Sequence, residues 1–125
     1  MEIIFLTVAL LAVVIHIYIW ILESFLWTKP ATLKTFNITK EVASSSKNLA
    51  FNQGFYNLFL AVVAGVGVIL FIQGYAGVGK GLVYSGLGSM VLASCVLLAS
   101  DRTKLRPALI QFTPPAIALV FLFFL

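Results

Sequence analysis

Four long apolar runs, at residues 3–27, 49–72, 82–99 and 107–125, divide the chain, and the stretches between them hold nearly all of its charge. Each run is close to the roughly 20 residues an α-helix needs to cross a hydrocarbon core of about 30 Å. In lipid a spanning segment must satisfy its own backbone, and a helix does so without partners. The pattern therefore predicts an all-α fold: a four-helix transmembrane bundle occupying residues 1–125 as one domain.

Composition supports this reading. Of the 125 residues 62% are hydrophobic and 10% charged, where a soluble domain has about a quarter charged. So apolar a chain could not cover its surface in water, and the lipid bilayer is its natural partner. The first run is read as a true span rather than a leader. Its only early charge is Glu2, it is too long for a leader's apolar segment, and it carries His16 and Glu23.

The charge is distributed unevenly. The loop at 28–48 holds Lys29, Lys34, Lys40 and Lys47, and the loop at 100–106 holds Arg102, Lys104 and Arg106. With four passes these two loops share one side, and only Lys80 lies on the other. The positive-inside rule predicts that the basic loops are cytoplasmic and that the N- and C-termini lie outside, which suits a multi-pass membrane protein. Basic residues confined to such loops do not form a nucleic-acid-binding face. Within 28–48, Pro30 is suited to the first position of a short interfacial helix through Phe36, with Leu33 and Phe36 on the interface. Thr39 is expected to cap the start of the second long helix. Trp20, Trp27 and Phe36 are expected near the interfacial region.

Gly77, Gly81, Ser85, Ser89 and Ala93 recur every four residues. They predict a strip of small residues on the third helix that packs closely on a neighbour in the same bundle, with a homodimer seam as the other use of the same physics. Ala61 and Gly65 repeat the spacing once on the second helix. Pro114 and Pro115 should distort the fourth helix and free carbonyls.

The candidate chemistry lies on the first two helices. His16, Trp20, Glu23 and Trp27 fall within about 60° of one another at 100° per residue, so they form one stripe. Asn52, Gln53, Tyr56 and Asn57 open the second helix. Counting rise from the basic ends puts Glu23 level with Asn52 and Gln53, and His16 deeper, near Tyr56 and Asn57. Ser94 and Cys95 return at similar depth, and Gln111 comes in from the fourth helix. An ionisable residue inside a span is costly and is a functional hypothesis by default. Glu23 leads as a ligand-binding or proton-exchanging residue, supported by His16, Trp20, Asn52, Gln53, Tyr56, Asn57 and Gln111. The bland alternative is interhelical hydrogen bonding, with Glu23 reaching back to the interface.

Other signals fail. Residues 74–81, GYAGVGKG, approach the phosphate-loop pattern, but Gly81 replaces the Ser or Thr and no strand precedes it; a flexible turn is expected. Asn37-Ile38-Thr39 matches a glycosylation acceptor but lies in the loop expected to be cytoplasmic. One His, the lone Cys95 and scattered carboxylates make no metal-ligand set, and no cofactor motif is present.

Some of these residues form a longer pattern: His16-x-Tyr18-x-x-x-Leu22-Glu23-x-Phe25-x-Trp27-Thr28-x-Pro30, Lys34-x-Phe36, and Leu49-Ala50-x-Asn52-Gln53-Gly54-x-Tyr56-Asn57-x-Phe59-Leu60-Ala61. It resembles the bacterial domain-of-unknown-function family 1304, small four-span membrane proteins. Gln111 with Pro115-Ala116 is similar to that family's fourth helix, with Phe112 where a glycine is usual. The resemblance implies the fold and a bacterial origin, and no activity. Three functions compete: binding or transport of a small amphipathic or cationic ligand, a non-catalytic interaction module acting through the small-residue face, and an intramembrane enzyme using Glu23 and His16 as acid and base.

Overall fold

The computed structural model describes residues 1–125, and the fold is all helical. Four helices are long and apolar enough to cross a membrane: α1 (Glu2–Phe25), α4 (Lys47–Ile72), α5 (Ala76–Ser100) and α6 (Leu105–Phe123), the last preceded by a 3₁₀ turn at Arg102–Lys104. Two short helices, α2 (Pro30–Phe36) and α3 (Lys40–Ser45), fill the first basic loop. Each long helix packs on the next in chain order and α6 closes on α1, giving an antiparallel four-helix transmembrane bundle. The edge-to-face pair Phe5–Phe71, with ring centroids 5.4 Å apart, ties the start of α1 to the end of α4. Leu122 joins Phe5 in the same core, so both termini lie at one end and the basic loops at the other.

At the terminal end the core is dry and built from small residues: Ala9, Ala12, Ala61, Ala64 and Ala118 around Phe5, Leu87 and Met90. Small side chains let helices approach closely, which maximises dispersion contacts where lipid offers no hydrophobic drive to associate. The closest crossing is between α4 and α5. There Gly79 sits against Gly67 and Phe71, and Gly86 against Ala64.

This crossing corrects the expected packing face. Gly77, Gly81, Ser85 and Ala93 are exposed, Ser89 is only half-buried, and nothing lies within 4 Å of where a side chain on Gly77 or Gly81 would start. The buried stripe of α5 is instead Gly79, Val83, Gly86, Leu87, Met90 and Ser94. A lipid-facing side and a packed side of a membrane helix are both apolar, so a periodic small-residue strip does not reveal which of the two packs. Ala61 is buried as expected, whereas Gly65 is only half-buried.

Helix boundaries also shift. The third span starts at Ala76 rather than 82, because the turn before it is confined to Gln73–Tyr75, with Gly74 at φ 91°. The flexible-turn reading of 74–81 therefore holds only for Gly74. The remaining glycines are helical despite a propensity cost of about 1 kcal/mol each, the packing of Gly79 outweighing its share. Pro30 does occupy the first turn of α2, and the Thr39 hydroxyl accepts the Val42 N–H at 3.2 Å. That cap starts α3, and the chain bends at Ser46 before α4 begins. Phe36 is buried against Ile19 and Leu22, pinning α2 onto the bundle, so its ring faces protein. α6 runs through Pro114 and Pro115 without a break, both buried. The carbonyls of Ile110 and Gln111 lose their in-helix donors there.

Candidate functional site

Towards the basic end the helices no longer fill the space between them. A cavity of about 790 Å³ opens there, lined by Glu23 of α1 and by Trp27 just beyond its end, from α4 by Asn52, Gln53, Tyr56 and Asn57, and from α6 by Pro107 and Gln111. Ligand sites span roughly 300–1,000 Å³, so it has room for a small organic molecule.

Glu23 is 7% exposed, Asn57 6% and Gln111 8%, and these three form the interior end. The Asn57 amide donates to both carboxylate oxygens of Glu23, each at 3.4 Å, and to the Gln53 carbonyl at 3.2 Å. Those distances are long against the usual 2.9–3.0 Å, so one amide is shared loosely among three acceptors. The ion pair of the fold, Lys104 with Asp101 at 3.9 Å, lies elsewhere. Glu23 thus sits inside a span facing a cavity, with one weak donor and no cation.

The structure brings together six of the eight residues expected at the site: Glu23, Asn52, Gln53, Tyr56, Asn57 and Gln111. The expected depths need correction, since Glu23 meets Asn57, one turn deeper than counting rise suggested. His16 and Trp20 do not line the cavity. The His16 ring is buried and its Nδ1 donates to the Ala12 carbonyl one turn back at 2.9 Å, which ties it to its own helix. It lies roughly 10 Å along α1 from Glu23, so the two do not form an acid–base pair. Trp20 packs edge-on to Phe25 and Phe55, with centroids 5.6 and 5.7 Å away, on the α1–α4 flank. Ser94 donates to Met90 O at 2.7 Å, and Cys95 faces outward.

The short helices make a strap across the basic end, which sequence reasoning missed. Trp27 Nε1 donates to Ser46 Oγ at 3.1 Å, and Lys104 Nζ donates to the carbonyls of Phe36 at 2.8 Å and Asn37 at 2.6 Å. Those carbonyls end α2, where a cation also meets the negative end of the helix dipole. Lys104, Ser46 and Trp27 all reach the cavity wall. Lys104 registered in the sequence only as a sidedness charge, because nothing local links it to residues nearly seventy positions away. No three His, Cys, Asp or Glu side chains come together anywhere. The arrangement supplies one carboxylate, several amides and an apolar wall.

A family model described as protein of unknown function (DUF1304) matches residues 10–123. The chain belongs to that family. The match takes in α1 from residue 10 onward, the other three membrane helices in full and every residue of the cavity wall. No curated protein and no solved structure matches the chain.

Proposed function

We propose that the bundle binds or carries a small amphipathic molecule with a cationic head, held in the cavity with Glu23 as its counter-charge. The observation that carries this reading is the Glu23 carboxyl: it lies within a span, faces the cavity, and has only the long Asn57 contacts to compensate it. Taking a carboxylate out of water without a charged partner costs several kcal/mol. A cationic ligand offsets that cost, and the apolar remainder of the wall accepts its hydrocarbon part. We infer from the loop charges that the strap is cytoplasmic, and from the family resemblance alone that the host is a bacterial inner membrane.

The test is equilibrium binding of tetraphenylphosphonium to purified protein in detergent. Binding should weaken at least tenfold in Glu23→Gln, which keeps the shape of the side chain and an acceptor for Asn57. Equal affinity in the two proteins would remove Glu23 from the reading.

A second reading, a membrane interaction module or homodimer, has one observation in its favour: the strip of Gly77, Gly81, Ser85, Ser89 and Ala93 is mostly exposed on α5. Gly81→Leu should then abolish self-association in a two-colour co-purification, and unchanged recovery would dismiss it.

A further inference from the structure

The rim of the cavity is not equally exposed all round. Among the lining residues, those most open to the outside belong to facing flanks of α4 and α5: Leu49 and Tyr56, at 74% and 65% exposed, and Val96 at 67%, with Asn52, Gln53 and Ala93 beside them. On the strap side the lining is less exposed. Phe36 is buried, Trp27, Ile38, Ser46 and Lys104 are half-buried, and the Trp27–Ser46 and Lys104–Phe36 bonds hold them in place. α4 and α5 are locked together at the opposite end by Gly67, Gly79, Gly86 and Ala64. Towards the basic end the cavity wall runs over exposed residues of both helices, so the cavity opens along the seam between them. The polar rim lies only one or two turns inside the helix end, the depth at which a lipid's polar head gives way to its chain.

Charge selects the head. Glu23 is the only carboxylate of the wall, and the one cation, Lys104, is already committed to two carbonyls and to Asp101. We infer that the ligand is a membrane-resident long-chain amine, which slides from the adjacent leaflet through the α4–α5 seam. Its ammonium seats on Glu23 and Asn57, and its chain passes out between Tyr56 and Val96. This rests on the cationic-ligand reading above and adds to it the ligand class and the route.

The experiment uses full-length protein in phosphatidylcholine vesicles. One readout is the protection of Glu23 from a hydrophobic carbodiimide by hexadecylamine or by butylamine, scored by mass as unmodified Glu23. An amide formed between the activated carboxyl and the amine, with release of the urea, does not count as protection. The other readout is photolabelling by hexadecylamine carrying a diazirine at its chain end. Val96→Trp and Ala93→Trp narrow the seam from an exposed face without touching the core. Hexadecylamine should protect Glu23 in the parent protein and about tenfold less well in these variants, with a smaller loss for butylamine. The diazirine should label the outward faces of α4 and α5 and not the strap. If both amines protect Glu23 but the seam variants make no difference and the label falls on the strap, the lateral route and the lipid-like ligand are overturned while the cationic-ligand reading stands. If neither amine protects Glu23, both readings fall. Should the tryptophan variants misfold, the position of the photolabel in the parent protein decides alone.

Discussion

Replacing Gly86 with Ala tests whether the α4–α5 crossing is the true packing face of α5. A Cβ on Gly86 would sit 2.7 Å from the Ala64 N, 2.8 Å from its Cβ and 2.9 Å from its Cα. Two of these atoms are backbone, so the strain is relieved only by moving a helix. Overpacking of this kind costs about 1–3 kcal/mol, against a helix-propensity gain of at most about 1 kcal/mol for Gly→Ala. The net loss should be about 1–2 kcal/mol, roughly a five- to thirty-fold fall in the folded-to-unfolded ratio. Gly81→Ala is the matched control. Nothing lies within 4 Å of its new methyl group, so only the propensity term acts and stability should be unchanged or slightly higher. Reversible unfolding in mixed micelles of increasing dodecyl sulfate, followed by Trp20 and Trp27 fluorescence, gives both values on one scale. A neutral Gly86→Ala beside a destabilising Gly81→Ala would show that the helix packs on the opposite face and would refute the argument.

Lys104→Met should free the strap. It removes two charge-assisted bonds to carbonyls that end α2, for a loss of about 1–3 kcal/mol, with little from the half-exposed Asp101 partner. Amide exchange across residues 30–46 should then speed up while α4 and α5 keep their protection, and unaltered exchange would mean that other contacts hold the strap. The Asp101 carboxyl titrates below the ordinary carboxylate range because the Thr103 hydroxyl and then the Thr103 backbone N–H donate to it, with Lys104 adding a smaller effect. Its contribution to the loop is present above the ordinary carboxylate value and is lost as the pH falls through the lowered one. In Thr103→Val a carboxyl-carbon NMR titration should move back up towards the ordinary range, and an unmoved titration would rule out the hydroxyl as the main cause.

The sequence by itself determined the four spans, the shared side of the basic loops, the start of α2 at Pro30 and the cap at Thr39. All of these follow from local physics: apolar length, charge per loop, a proline's fixed φ and a hydroxyl within reach of the next turn. It also determined that Glu23, Asn57 and Gln111 would share one end of the bundle, since antiparallel helices of similar length return at matching depths. Tertiary structure alone decided the faces. In water a polar face marks the outside of a helix, but in lipid both faces of α5 are apolar and small, so the choice of Gly79 and Gly86 over Gly77 and Gly81 depended on how Gly67 and Ala64 fit them. The same holds for Phe36, whose ring turned inward onto Ile19 and Leu22, and for His16, whose ring found a carbonyl on its own helix instead of the cavity. The strap depends on contacts between segments tens of residues apart, such as Lys104 with Phe36, which no local pattern encodes.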